Sequence, residues 1–117
     1  MSDRDVQVVE DMLDFARRAE RILAGRGCDE FLADEAALYA VRYCLQTVGE
    51  CTKLLSGAAQ SEMSGIPWRQ IAGMRDRLAH GYASIADPVV HATVVEDIPL
   101  LTRTLDAWLR SRLQHPP

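Results

Sequence analysis

Lysine is nearly missing from this chain: Lys53 stands alone beside twelve arginines. Long apolar runs are missing too. No stretch approaches 18 uninterrupted apolar residues, which excludes a helical membrane span. The opening MSDRDVQVVEDM is charged from its third residue and has no apolar core of the kind a secretory signal needs. A cytoplasmic protein is therefore expected. The cysteines are three, Cys28, Cys44 and Cys51, with no CxxC pair. Cys44 and Cys51 stand seven apart in a helical stretch, roughly 10.5 Å along the axis, too far for a disulfide. Reduced core thiols are expected. His80, His91 and His115 are widely spaced and lack an HExxH-type arrangement, so neither a metal site nor a cofactor is expected. Internal repeats, low-complexity segments and the period-two alternation of strands are absent as well.

What remains is an ordinary soluble domain. The 117 residues are 48% hydrophobic and 26% charged, which suits one domain, over 1–113, with a frayed tail at 114–117. The net charge of -4 excludes a protein that is basic throughout, and DNA is not expected as a partner. The average hides an asymmetry. Residues 1–35 carry ten acids against five arginines, whereas 36–117 carry seven acids against eight bases. A local anion site in the second part remains open. The arginine bias favours bidentate contacts to phosphate or carboxylate, and it also fits a bias of genomic base composition.

Apolar residues recur at helical spacing almost throughout. A first helix is expected from Asp3 to Ala24, striped by Val6, Val9, Leu13 and Ala16 and stopped at Gly25-Arg26-Gly27. A second is expected from Ala33 to Leu55, with a stripe wide enough for contacts on two sides. Residues 57–66 read as a polar loop. A third helix opens at Pro67 and runs from Trp68 to His80, with Gly81 as its stop. A fourth opens with Asp87 as N-cap before Pro88. Pro99 lies inside its stripe of Val94, Ile98, Leu101, Leu105 and Trp108, so a kink or break is expected there. The fold class expected is all-α: an up-and-down bundle of four to five helices. Small bundles with long helices often dimerise through an apolar stripe.

The chemistry concentrates in Ile66-Pro-Trp-Arg-Gln-Ile-Ala-Gly-Met-Arg-Asp-Arg-Leu-Ala-His-Gly-Tyr82. Arg75 and Arg77 have the fork geometry that holds phosphate. His80 can move a proton, and Tyr82 offers a phenol to donate a hydrogen bond or receive a group. These parts suit metal-free RNA cleavage. A base removes the 2′-OH proton, the oxygen attacks phosphorus, an acid protonates the departing 5′-oxygen, and positive charge steadies the phosphorane. One histidine cannot easily act on both sides of the phosphorus; a two-fold dimer supplies a second. Arg75 and His80 sit about 140° apart around an ideal helix, whereas Arg77 and His80 share a side. By composition alone, a helix with three arginines and a terminal histidine is usually a solvated face with a cap.

The pattern Arg75-x4-His80-x-Tyr82 resembles the RX4HXY motif of the HepT branch of the HEPN superfamily. Gly65-Ile-Pro-Trp-Arg69, Glu30-Phe-Leu-Ala-Asp34 and Val48-Gly-Glu50 are similar to that family too, and the likeness runs from about residue 5 to 110. The resemblance implies an all-helical, homodimeric HEPN fold with a composite cleft. It implies a metal-independent endoribonuclease that is the toxin of a type VII toxin–antitoxin pair. It implies a nucleotidyltransferase antitoxin of the MNT type that transfers AMP from ATP to the motif tyrosine. Carried over by position, Arg75 and His80 are the catalytic pair and Tyr82 the modified residue. A bulky anion on Tyr82 would repel and block the RNA phosphate. The chain departs from the family in two places. Asp76 stands where asparagine or another polar residue is frequent, and it can orient Arg75 or weaken its pull on phosphate. Ala86 follows Ile85 where an acid is frequent, with Asp87 one position later.

Other residues fill in the expectation. Arg77 is a candidate RNA phosphate contact. Glu50, a carboxylate within an apolar helix, can pair with an arginine of the third helix or face solvent. Tyr39 and Tyr43 are expected to pack or to form an interface, and Trp68 to staple the helix start, with base stacking as the alternative. His91 is expected at the surface or an interface, and Arg103, Arg110 and Arg112 on a solvated face. The competing functional reading is a non-catalytic HEPN module that binds a nucleotidyltransferase or a nucleotide; a third is a structural dimer whose motif is merely a packed helix end.

Overall fold

The computed structural model describes residues 3–80 and 85–114. Among them the chain is helical, with four long helices and three short ones. Helix α1 (Asp3–Leu23) leads through the short α2 (Cys28–Leu32) into α3 (Glu35–Leu54). The short α4 (Gly57–Glu62) precedes α5 (Trp68–His80). Helix α6 (Asp87–Ala92) runs into a π-helical turn, Thr93–Asp97, and then α7 (Ile98–Gln114). The long helices stand side by side in the order α7, α1, α3, α5. The molecule measures 48 × 27 × 21 Å.

The corners explain the up-and-down run. Beyond Leu23 the chain turns through Ala24 (φ 54°) and Gly25 (φ 70°). Arg26 then closes the end of α1. Its Nε donates to the Leu23 carbonyl at 3.0 Å and its Nη2 to that of Ile22 at 2.8 Å. Its Nη1 meets Asp34 Oδ2 at 2.9 Å. Asp34 in turn caps α3 by accepting from the Ala37 N–H at 3.1 Å. Arg26 thus fastens the end of α1 to the start of α3, and its guanidinium lowers the Asp34 pKa. At the opposite end, the buried carboxylate of Asp5 accepts from Ser56 N at 3.0 Å and from Ser56 Oγ at 2.7 Å. Two antiparallel helices are therefore pinned at both ends. Asp5→Ala should lower stability by about 2 kcal/mol, the cost of removing a buried carboxylate acceptor from two partly buried donors. A urea midpoint that falls with an unchanged slope would show it; an unmoved midpoint would contradict it.

The core runs the length of the bundle. Val9, Met12, Phe31, Val41, Val90 and Leu105 are sealed from solvent. Cys44 and Cys51 belong to it, as expected, whereas Cys28 is only half-buried. Burial pushes the Cys51 thiol up to about 11, so it stays protonated at neutral pH and packs as a small apolar group.

Four expectations need correcting. Residues 57–66 are not simply a loop: α4 forms there because Ser56 caps it, its Oγ accepting from Ala59 N at 3.1 Å. The second long helix starts at Glu35, behind a separate α2. Asp87 is the first residue of α6 and Ala86 its cap. Pro99 does not break the last helix. Without an N–H it cannot close the ladder behind it, and the mismatch is taken up by the π-helical turn just upstream, where Ile98 N–H bonds back to the Thr93 carbonyl. Among the described residues no helix is long and apolar enough to cross a membrane.

Candidate active site

Helix α5 is placed by its first residue and by one glycine of α3. Trp68 is the expected staple: its Nε1 donates to the carbonyls of Gln60 and Met63, each at 3.1 Å, which fixes the start of α5 against the end of α4. Midway along, α5 comes down on Gly49. A Cβ at Gly49 would stand 2.2 Å from Arg75 Cβ, 2.9 Å from its Cγ and 3.2 Å from its Cα. Only a residue without a side chain lets the helices approach this closely.

That contact delivers Arg75 to the next residue of α3. Arg75 Nε donates to Glu50 Oε1 at 2.6 Å, and Nη2 donates to the same oxygen. The expected pairing of Glu50 with an arginine of the third long helix is therefore present. Nη1 meets Asp76 Oδ1 at 3.3 Å, and Lys53 Nζ donates to that same Asp76 oxygen. The four groups form one chain, Glu50–Arg75–Asp76–Lys53, across the two helices. The Glu50 hydrogen bond raises the Arg75 pKa, so the guanidinium is permanently charged. Lys53 first, and Arg75 after it, hold the Asp76 carboxyl below its usual range. The Arg75 side chain is 20% exposed and that of Glu50 43%, so the cluster opens to solvent.

Helical spacing puts Tyr39, Tyr43, Glu50 and Leu54 on one stripe of α3. Tyr39 and Tyr43 are more than 60% exposed and Leu54 is exposed too. Tyr43 makes an edge contact to Phe15, at 6.2 Å between ring centroids. Glu50 of the cluster thus shares its stripe of α3 with exposed aromatic side chains, Tyr43 two helical turns away.

His80 is exposed at the last described position of α5. Arg75 and His80 leave the helix in different directions, as their spacing requires. Arg77 faces away from Arg75. It lines a cavity of about 530 Å³ on the other side of α5, together with Leu45, Val48, Met74, Glu96 and Asp97. Within one chain Arg77 therefore does not stand beside Arg75: two residues of helix separate the side chains by about 160°. Tyr82 and Gly81 lie outside the described residues. The chain re-enters the structure at Ile85, where Arg42 of α3 takes hold. Arg42 Nη1 donates to the Ile85 carbonyl at 3.4 Å and to Asp87 Oδ1 at 3.3 Å.

Two further expectations change. His91 is not a plain surface residue: its Nε2 lies 2.9 Å from the Arg26 carbonyl and its ring packs on Phe31. Arg112 is not solvated: it pairs with Glu62 and lies over the Trp108 ring at 4.6 Å. No group of histidine, cysteine and carboxylate side chains among the described residues is arranged to hold a metal ion.

Gly49, Lys53 and Arg42 carried signals that sequence reasoning did not convert into roles. Gly49 is a glycine in the middle of a good helix, which marks close approach. Lys53 is the single lysine, three residues from Glu50. Arg42 sits two helical turns from Gly49, on the side of α3 that receives α5.

The profile of ribonuclease HepT-like proteins matches residues 12–108. The chain belongs to the HepT-like ribonuclease family. It is 38% identical over 73 residues to a Thermococcus cleftensis protein named "probable ribonuclease HepT", a match covering 62% of this chain and 66% of that one. A Methanocaldococcus jannaschii protein whose name places it among the RNases is 28% identical over 105 residues, covering 90% of this chain and 81% of the relative. A third relative so named, from Caldanaerobacter subterraneus subsp. tengcongensis, is 32% identical over 74% of this chain and 77% of its own length. No solved structure matches the chain. Endoribonuclease is the enzyme class that this HepT-like family and these relatives support.

Proposed function

We propose that this HepT-like protein is a metal-independent endoribonuclease toxin of a toxin–antitoxin pair, active as a homodimer in the cytoplasm. Arg75 and His80 are its catalytic residues. The observation that carries this reading is the setting of Arg75. Its stem is trapped at the α3–α5 contact, Glu50 grips one edge of its guanidinium, and the group still opens to solvent beside exposed aromatic side chains.

The chemistry follows from the parts. A neutral His80 accepts the proton of the 2′-OH. The freed oxygen attacks the adjacent phosphorus, and the bond from phosphorus to the 5′-oxygen breaks. A second, protonated His80 gives its proton to the leaving oxygen. Arg75 steadies the charge on the non-bridging oxygens. One chain has one His80 at the end of α5, pointing away from its own Arg75, so the constellation requires two copies. The stripe of Tyr39, Tyr43 and Leu54 supports a dimer face beside the cluster. The partner reading is an MNT-type nucleotidyltransferase antitoxin that moves AMP from ATP to Tyr82. The Tyr82 oxygen displaces pyrophosphate, and the added phosphodiester puts an anion where RNA must bind.

Purified protein whose intact mass shows no adduct should cleave end-labelled RNA in EDTA, leaving 2′,3′-cyclic phosphate and 5′-hydroxyl ends, and should elute as a dimer. Cleavage with 3′-hydroxyl and 5′-phosphate ends would contradict the mechanism. The grip of two carboxylates on Arg75 favours one second reading, a HEPN module that binds its nucleotidyltransferase without cleaving RNA. Partner binding with no cleavage across a panel of cellular RNAs would establish that reading instead.

A further inference from the structure

We infer that Lys53 is a positioning residue of the ribonuclease site, acting through Asp76. This deepens the reading of Arg75 as the phosphate-binding group and rests on it. Arg75 faces two carboxylates, Glu50 and Asp76. Taken as a trio, those groups carry a net charge of -1, which repels the phosphate that Arg75 is to hold. Lys53 is the fourth member. It donates to the same Asp76 oxygen that receives Arg75 Nη1, so it competes for that carboxylate and brings the cluster to neutrality. Arg75 then keeps Glu50 on its Nε edge as a fixed anchor, and its Nη1 is released when a phosphate oxygen arrives. Lys53 thereby decides whether Asp76 orients Arg75 or blocks it.

The geometry suits this role better than a structural one. Lys53 and Asp76 are 41% and 53% exposed. An ion pair so open to water contributes little to folding. Its effect falls on the local field, where an uncompensated carboxylate beside a cationic site weakens anion binding. Lysine also fits the task. Its ammonium is a compact point charge on a flexible stem, able to hold Asp76 without the planar fork that would compete for phosphate itself.

The test is steady-state RNA cleavage by full-length dimer at low and high salt, with thermal melting alongside. Lys53→Ala should raise KM about tenfold at low salt with kcat nearly unchanged, and leave the melting temperature within a degree or two. The defect should shrink in 0.5 M salt, because exposed charges are then screened. Lys53→Arg keeps the charge but adds a fork that competes for phosphate, so it should recover only part of the loss. The decisive variant is the double, Lys53→Ala with Asp76→Ala. Removing the carboxylate removes the need for its partner, so the double variant should bind RNA as Asp76→Ala alone does. A double variant as defective as Lys53→Ala would overturn the inference and make Lys53 a direct phosphate contact. An unchanged KM in Lys53→Ala would overturn it as well. Arg75→Ala run in parallel separates the two levels. If Arg75→Ala retains full activity, the site reading itself fails; if it is inactive while Lys53→Ala is normal, only the role of Lys53 fails.

Discussion

Gly49→Val should lower the melting temperature by roughly 10 °C and reduce RNA cleavage at least a hundredfold. The reason is the approach of α3 to α5. Even the first added carbon would stand 2.2 Å from Arg75 Cβ and 3.2 Å from its Cα. These atoms lie at the base of the side chain, so no rotamer change relieves the clash; the helix must move. Overpacking of this kind costs about 1–3 kcal/mol. In a domain of this size about 2 kcal/mol corresponds to roughly 10 °C. The activity loss is larger than the stability loss implies, because the displaced helix carries both Arg75 and His80, and a shift of about 1 Å costs about a hundredfold in rate. Gly49→Ala should show the same defects in milder form, although alanine favours a helix over glycine by about 1 kcal/mol. Melting and cleavage both unchanged in Gly49→Val would mean that α5 does not pack on α3 as described.

Arg75→Ala should separate activity from folding. Cleavage should fall by about 10²–10³, the usual effect of removing one preorganised charge from a developing anion. The melting temperature should fall by only a few degrees: the Arg75 side chain is 20% exposed, so the loss takes in the packing of its stem on Gly49 as well as a pair with the more exposed Glu50. Arg75→Lys should restore only a small part of the rate. A lysine supplies the charge but cannot hold Glu50 and a phosphate along two edges of one plane. Glu50→Gln offers a finer gauge. It keeps an acceptor for Arg75 Nε but loosens the anchor, so a partial loss is expected, smaller than that of Arg75→Ala. Circular dichroism and melting curves for all three variants would check that the fold persists, and a large stability loss in Arg75→Ala would show that the cluster serves the fold.

How far the sequence carried is clear from particular residues. The long helices were legible because their apolar stripes repeat at three and four, and because Pro67 and the Gly25–Gly27 stretch mark ends. The Glu50–Arg75 pair was legible as an option: a carboxylate in an apolar helix must find a partner or water. What was not legible was the handedness of the site around α5. Periodicity put Arg77 on one side with His80, yet the two arginines still read as one phosphate fork; the packing of α5 on Gly49 shows that Arg75 faces α3 while Arg77 lines a separate cavity. Long-range polar contacts were equally hidden. Asp5 with Ser56 spans 51 positions, and Arg42 with Asp87 spans 45. No local pattern announces a partner at such a distance. The π-helical turn was half legible. Pro99 demanded some accommodation, and a neighbouring turn supplied it without a break in the helix.

The most direct test of the proposed mechanism is a time course of end-labelled RNA with purified, unmodified protein in EDTA, run beside His80→Ala. His80 is exposed at the end of α5, so its loss should leave the fold intact. Steady cleavage by the parent protein is expected, with a drop of about a thousandfold or more in the variant, because the proposed mechanism takes both the base and, from a second copy, the acid from His80. Cleavage by His80→Ala at the parent rate would contradict it.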